Sequence, residues 1–187
     1  MTEQIRPEVV VLLGNRIRSD RQTSGLSVVK LAELSGVSRR MLTQIELGQA
    51  NPSVATVDKI ASALGTTFSA LVGVLEDRSP DGVQVWSTPG GSWAYLLKAV
   101  ETSEMSVELW KWRLVGDDRY HASPSPGAPD SMAHVLQGQL RVRSGSSDLR
   151  VGAGESARLA STPEHTFEAG SDSTDFLWVV TVPRALG

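Results

Sequence analysis

Cysteine is absent from all 187 residues, which removes disulfides, iron–sulfur clusters, thiolate zinc sites and cysteine nucleophiles. There is no basic excess: 18 Lys/Arg stand against 21 Asp/Glu, a net charge of −3. A protein that coats nucleic acid by bulk charge is excluded, although a local basic face is not. Long apolar runs are also missing. The longest near the start is Val9 to Leu13, too short for a membrane span and without the flanks of a secretion signal. These absences fit a soluble, cytoplasmic protein with no membrane partner. Aromatic residues make up only 5% of the chain, yet the apolar fraction of 40% and charged fraction of 21% exclude wholesale disorder.

What is scarce is also unevenly spread. Trp86, Trp93, Trp110, Trp112 and Trp178 all lie in the second part, and only Pro7 and Pro52 of the nine prolines lie in the first. Residues 1–75 hold eight Lys/Arg and six Asp/Glu, a charge of +2; residues 76–187 hold ten and fifteen, a charge of −5. We read two domains, 1–75 and 83–187, joined by a polar linker at 76–82 (Glu76 to Gly82).

The first part has helical periodicity. Val9, Leu12, Leu13, Arg16 and Ile17 share a face, with Arg16 snorkelling and Gly25 ending the helix. Ser27 caps a second helix that Gly36 breaks. Ser38 caps a third, with Met41, Leu42 and Ile45 as its core face and Gly48 past its end. A fourth opens at Pro52-Ser53, and a fifth runs within Thr67 to Leu75. The second part alternates with period two between recurrent glycine turns, the pattern of a barrel or sandwich. Leu140 and Val142 alternate with Arg141 and Arg143, and Phe176 to Val182 reads as a central strand. Met105, Val107 and Leu109 share one face while Trp110, Trp112 and Leu114 share the other. That pattern implies a bulge or a strand buried on both faces.

The helices joined by the Gly36 turn fit a helix-turn-helix, with Ala32 small at the crossing and Val37 as the apolar plug beneath the turn. From Leu13 to about Gly73 the chain resembles the phage-repressor-like helix-turn-helix family of the xenobiotic-response-element (XRE) type. The matching pieces are Leu13 to Arg18, Leu31-Ala32, Ser35 to Ser38, Ile45 to Gly48, Asn51 to Ser53 and Ile60 to Gly65. The resemblance implies a five-helix lambda-repressor-like bundle whose third helix enters the major groove of operator DNA. Arg39, Arg40, Thr43 and Gln44 fall at the reading positions. Arg offers a donor fork to guanine, and Gln can donate and accept at adenine. Ser38, Asn51 and Ser53 are phosphate candidates. Val28 stands where the family often has a phosphate-binding Gln. Glu46 reads as a structural partner of a nearby Arg.

From Arg113 to Pro183 the second part resembles a cupin, the all-β double-stranded β-helix barrel, so the fold class is α + β in two domains. The pieces are Pro126-Gly127, Val135 to Val142, Leu149 to Glu155 and Pro163 to Phe167. Metal-binding cupins carry two His and a Glu in a first motif and a His in a second. Here only His165 stands clearly in place. Ser125 and Ser131 (or Asp130) fall where ligands are expected, His121 comes early, and His134 points away from the ligand face. For His165, three roles stay open: metal ligand, pocket wall or structural histidine. We expect no metal and no other cofactor. His121, His165, Trp112 and Trp178 are the ligand-pocket candidates.

The combination implies a DNA-binding transcriptional regulator, not an enzyme, whose barrel senses a small-molecule effector and forms a homodimer. The alternatives are a metal-dependent cupin enzyme fused to a DNA-binding module, and an antitoxin-like protein whose barrel binds another protein.

Overall fold

The computed structural model describes residues 7–73, 81–102 and 104–183. Most of the expected linker lies outside the described residues. The first part consists of α1 (Pro7–Thr23), α2 (Val28–Ser35), α3 (Arg39–Glu46), α4 (Val54–Ala63) and α5 (Phe68–Leu71). Hydroxyl caps start four of them. Ser27, Ser38, Ser53 and Thr67 each accept a hydrogen bond, at 3.1–3.2 Å, from the backbone N–H three residues on. A cap of this kind stabilises a helix by about 1 kcal/mol. Gly36 ends α2 at φ +66°, a left-handed conformation that glycine adopts without steric cost.

Leu13, Ile17, Leu31, Leu42, Ile45, Val57 and Ile60 fill the helical core. Gly14 lets α1 and α3 approach closely, since a Cβ there would lie 2.2 Å from the Ile45 carbonyl oxygen. A buried ion pair fixes the same two helices. Arg21 Nε and Nη2 donate to the Glu46 carboxylate at 2.6 and 2.9 Å, and Nη1 donates to the Leu26 carbonyl at 2.9 Å. The Glu46 hydrogen bonds push the Arg21 guanidinium above its usual range against the effect of burial. Glu46 thus has the arginine partner its sequence context implied. Met41 does not join the core: it is 40% exposed, because the short α3 turns only Leu42, Ile45 and Glu46 inward. Arg16 pairs with Asp20 at 3.3 Å, one turn along its own helix.

Ten strands follow: β1 (Val83–Ser87), β2 (Trp93–Glu101), β3 (Met105–Val115), β4 (Arg119–Ala122), β5 (Ser131–Gln137), β6 (Gln139–Ser144), β7 (Ser147–Gly152), β8 (Ser156–Leu159), β9 (His165–Ala169) and β10 (Ser173–Pro183). One sheet has the order β1-β2-β3-β10-β5-β8 and the other β4-β9-β6-β7. The antiparallel pairing is nested: β3 with β10, β4 with β9, β5 with β8, β6 with β7. Successive pairs alternate between sheets, which is a long hairpin rolled into a jelly roll, the double-stranded β-helix of the cupins. The β1–β2 hairpin extends the first sheet beyond β3. Aromatic rings join the sheets, with Trp112 4.3 Å from Tyr120 and Phe167 5.7 Å from Phe176 between ring centroids.

Strand β10 is central, between β3 and β5, as its two-sided apolar character implied. Leu140 and Val142 are buried, and His134 turns outward to bond Ser156 at 2.9 Å. The expectation for β3 is corrected. It pairs with β10 without a register shift and alternates throughout, so Ser106 and Glu108 point inward with Trp110, Trp112 and Leu114. Met105, Val107 and Leu109 lie on the outer face. The irregularity belongs to β2, between Leu96 and Lys98.

Candidate nucleic-acid interface and interdomain cavity

Helix α3 is strongly amphipathic, and its inward residues seat it on α1 and α2. Ser38, Arg39, Arg40 and Thr43 are exposed, and Gln44 is half-buried. Among the described residues neither arginine forms an ion pair, so two guanidinium forks project from the start of the helix without a counter-charge. Positive charge at a helix start is mildly unfavourable, and a phosphate or base edge there relieves it. Thr43 is less free, because its hydroxyl donates to the Arg39 carbonyl at 2.9 Å. Ser38 Oγ accepts from the Met41 amide, which leaves its proton to donate outward. Asn51 and Ser53 are exposed before α4; Ser53 Oγ also shares a 2.9 Å hydrogen bond with Thr56. Val28 is half-buried at the start of α2.

The two domains touch through α5. The Phe68 ring lies 5.9 Å from Trp110, Ser69 and Ser106 hydroxyls meet at 3.1 Å, and Thr67 donates to the Glu101 carboxylate. Beside this contact is a cavity of about 480 Å³. Helix α4 gives it Asp58 and Lys59, α5 gives Phe68, and the barrel gives Trp86, Glu108, Trp110, Trp112, Tyr120, His121, Trp178 and Val180. Ser53 and Ser125 also line it. Three of the four sequence-derived pocket candidates, Trp112, Trp178 and His121, therefore share one wall. His165 is not in it. It is buried against Phe167, and its Nε2 donates to the Ala160 carbonyl at 2.6 Å. Ser131 accepts the Trp178 indole N–H at 2.9 Å, and His121 bonds Thr166 at 3.0 Å. Among the described residues no group of three or more His, Asp or Glu side chains converges to hold a metal ion.

Sequence reasoning missed Glu108. It is 2% exposed. One oxygen accepts the Trp110 indole N–H at 2.9 Å, and the other, Oε1, accepts no hydrogen bond. Burial pushes its carboxyl up to about 7, and the charges of Asp58 and Glu101 add to the rise. The Trp110 indole and the nearby Ser69 hydroxyl pull the other way, although Ser69 is not in bonding geometry with the free oxygen. Burial also raises Asp58. The available signal was the strict period-two continuation from Trp112 back through Trp110 to Glu108.

A capped helix-turn-helix bundle, set on a jelly-roll barrel with a cavity between them, defines a two-domain DNA-binding regulator. The helix-turn-helix family HTH_3 matches residues 17–71. The transcriptional regulator SinR of Bacillus subtilis is 30% identical over 110 residues, 54% of this chain and 95% of that one. The transcriptional regulator SutR of Escherichia coli is 25% identical over 174 residues, 92% of this chain and 96% of that one. A crystal structure of an HTH_3-family transcriptional regulator from Vibrio cholerae superposes with a TM-score of 0.70 at 28% identity, covering 95% of this chain and 99% of the other. The chain belongs to the HTH-type (HTH_3, XRE-like) transcriptional regulators.

Proposed function

We propose that this regulator is a cytoplasmic, sequence-specific DNA-binding homodimer whose barrel holds a small-molecule effector that alters its affinity for operator DNA. The observation that carries the reading is the cavity wall, which is built from both domains. A ligand there touches α4 and the barrel at once, so its binding energy depends on how the domains are set. The barrel acts in this reading as a binding domain and not a catalyst. Ser125 and Ser131 occupy positions where metal-binding cupins have ligands, and His165 spends one ring nitrogen on a carbonyl.

Homodimerisation is supported by the outer face of the six-stranded sheet. Val100 pairs with Val107 across β2 and β3, Leu109 with Val179, and Val179 with Met132, which places these side chains on one face in adjoining strands. Val100 is 68% and Met132 56% exposed. A second copy covering this strip would set two recognition helices for half-sites an integral number of turns apart. Arg39, Arg40, Thr43 and Gln44 are the assigned reading residues, with Ser38, Asn51 and Ser53 on phosphates.

The test is selection of a bound duplex from random DNA, followed by titration of the Arg39→Ala/Arg40→Ala double variant. A bidentate base contact predicts a loss of about 1–3 kcal/mol with relaxed preference at one base position. Phosphate contacts predict uniform losses and a shallower salt slope. Unchanged binding would overturn the assignment of α3.

A further inference from the structure

We propose that the cavity between α4 and the barrel is a site for an organic ammonium ion, with Glu108 and Asp58 as its counter-charges and tryptophan faces as its walls. The proposal deepens the sensing reading above and rests on it. Two acidic side chains from different domains line one cavity, and among the described residues neither forms an ion pair. Glu108 is buried with an oxygen that accepts nothing, an arrangement that costs free energy unless a donor or a proton arrives.

The rest of the wall determines the kind of donor. Trp86, Trp110, Trp112 and Trp178 line the cavity with large aromatic rings, whose negative quadrupole attracts an alkylammonium stripped of water, while the Trp86 and Trp112 indole N–H groups have no acceptor among the described residues. A divalent metal instead needs several N or O ligands converging on one point, and none do so among the described residues. The other charged groups facing the site are Lys59 beside Asp58 on α4, Glu101 across from Ser106 on β2, and His121 on β4. Lys59 is exposed, Glu101 is held by Thr67, and His121 bonds Thr166, so none of them neutralises Glu108. An anion would meet two carboxylates against the single exposed ammonium of Lys59, and a neutral ligand would bring no counter-charge to either carboxylate.

The experiment titrates the full chain with three probes of one size, hexylammonium, 1-hexanol and hexanoate, and follows tryptophan fluorescence. Hexylammonium should bind at least about tenfold more tightly than the other two, the usual scale of one charge-assisted hydrogen bond. Its affinity should rise from pH 6 to pH 8 as Glu108 ionises, since the ammonium itself stays charged across that interval. Glu108→Gln should lose about tenfold or more and abolish the pH dependence, while still melting cooperatively. If that variant does not fold, Asp58→Asn and the wild-type pH profile carry the test. Equal or tighter binding of hexanol or hexanoate, no binding of hexylammonium, or unchanged affinity in a folded Glu108→Gln protein would overturn the site. Hexylammonium that binds as described but leaves operator affinity unchanged would instead overturn the sensing reading and leave the site standing.

Discussion

Glu108 is costly to ionise in its position, and that cost makes the protein's stability depend on pH. The folded chain holds the Glu108 proton up to about pH 7, whereas the unfolded chain releases it near the ordinary glutamate value of 4.5. Below that lower value both states are protonated and the contribution is fully present. As pH rises through the interval the unfolded state ionises first, and the contribution is lost by the time the folded group titrates. The difference amounts to about 3 kcal/mol. Urea unfolding at about pH 5 and pH 8 checks this, with Glu108→Gln as the reference that cancels all other titrations. The wild type should lose up to about 3 kcal/mol more than the variant between the two conditions. Parallel losses would show that Glu108 is not the group responsible. Arg21 and Glu46 illustrate the opposite case, a buried charge with its partner in bidentate contact.

At the scale of elements, β3 has two working faces. Its inner face delivers Glu108 and Trp110 to the cavity, and its outer face contributes Val107 and Leu109 to the apolar strip. If the strip holds the dimer, Met132→Asp should give a monomer by sedimentation velocity with the barrel still folded. A dimer that persists in Met132→Asp and Val107→Lys alike would place the interface elsewhere. This strand also marks where the sequence stopped being legible. The helices were readable from local signals: an apolar face, a glycine stop and, for α2 to α5, a hydroxyl cap. Turns and alternation made a barrel or sandwich readable, and the resemblance of residues 113–183 to cupins implied the double-stranded β-helix. The inward face of β3 was not, because the rule that apolar residues point inward fails at this end of the strand. There the buried positions are Ser106 and Glu108, facing α5 and the cavity, while Val107 is exposed and Met105 and Leu109 are half-buried on the outer face. Met41 fails the same rule on α3. The contact between domains joins residues 34 and 37 positions apart, Thr67 with Glu101 and Ser69 with Ser106, and no local pattern announces it.

For the whole molecule, the small α5 is the contact between the helical bundle and the barrel. It is tied by hydroxyls to β2 and β3 and borders the same cavity as α4, the helix that follows the recognition helix. In the proposed reading, a ligand that fits only one setting of α4 against the barrel would shift the population toward that setting, and in a homodimer that shift would change the spacing of the two α3 helices. The charge division agrees with the proposed roles: the helical part is slightly positive, which favours DNA, and the second part is acidic, which does not. The most direct measurement is the dissociation constant for a selected duplex, by fluorescence anisotropy at fixed salt, with the cavity empty and with it saturated by hexylammonium. Coupling through the cavity predicts a change of about fivefold or more in the wild type and none in Glu108→Gln. An operator affinity that stays the same at saturation in the wild type would contradict the account.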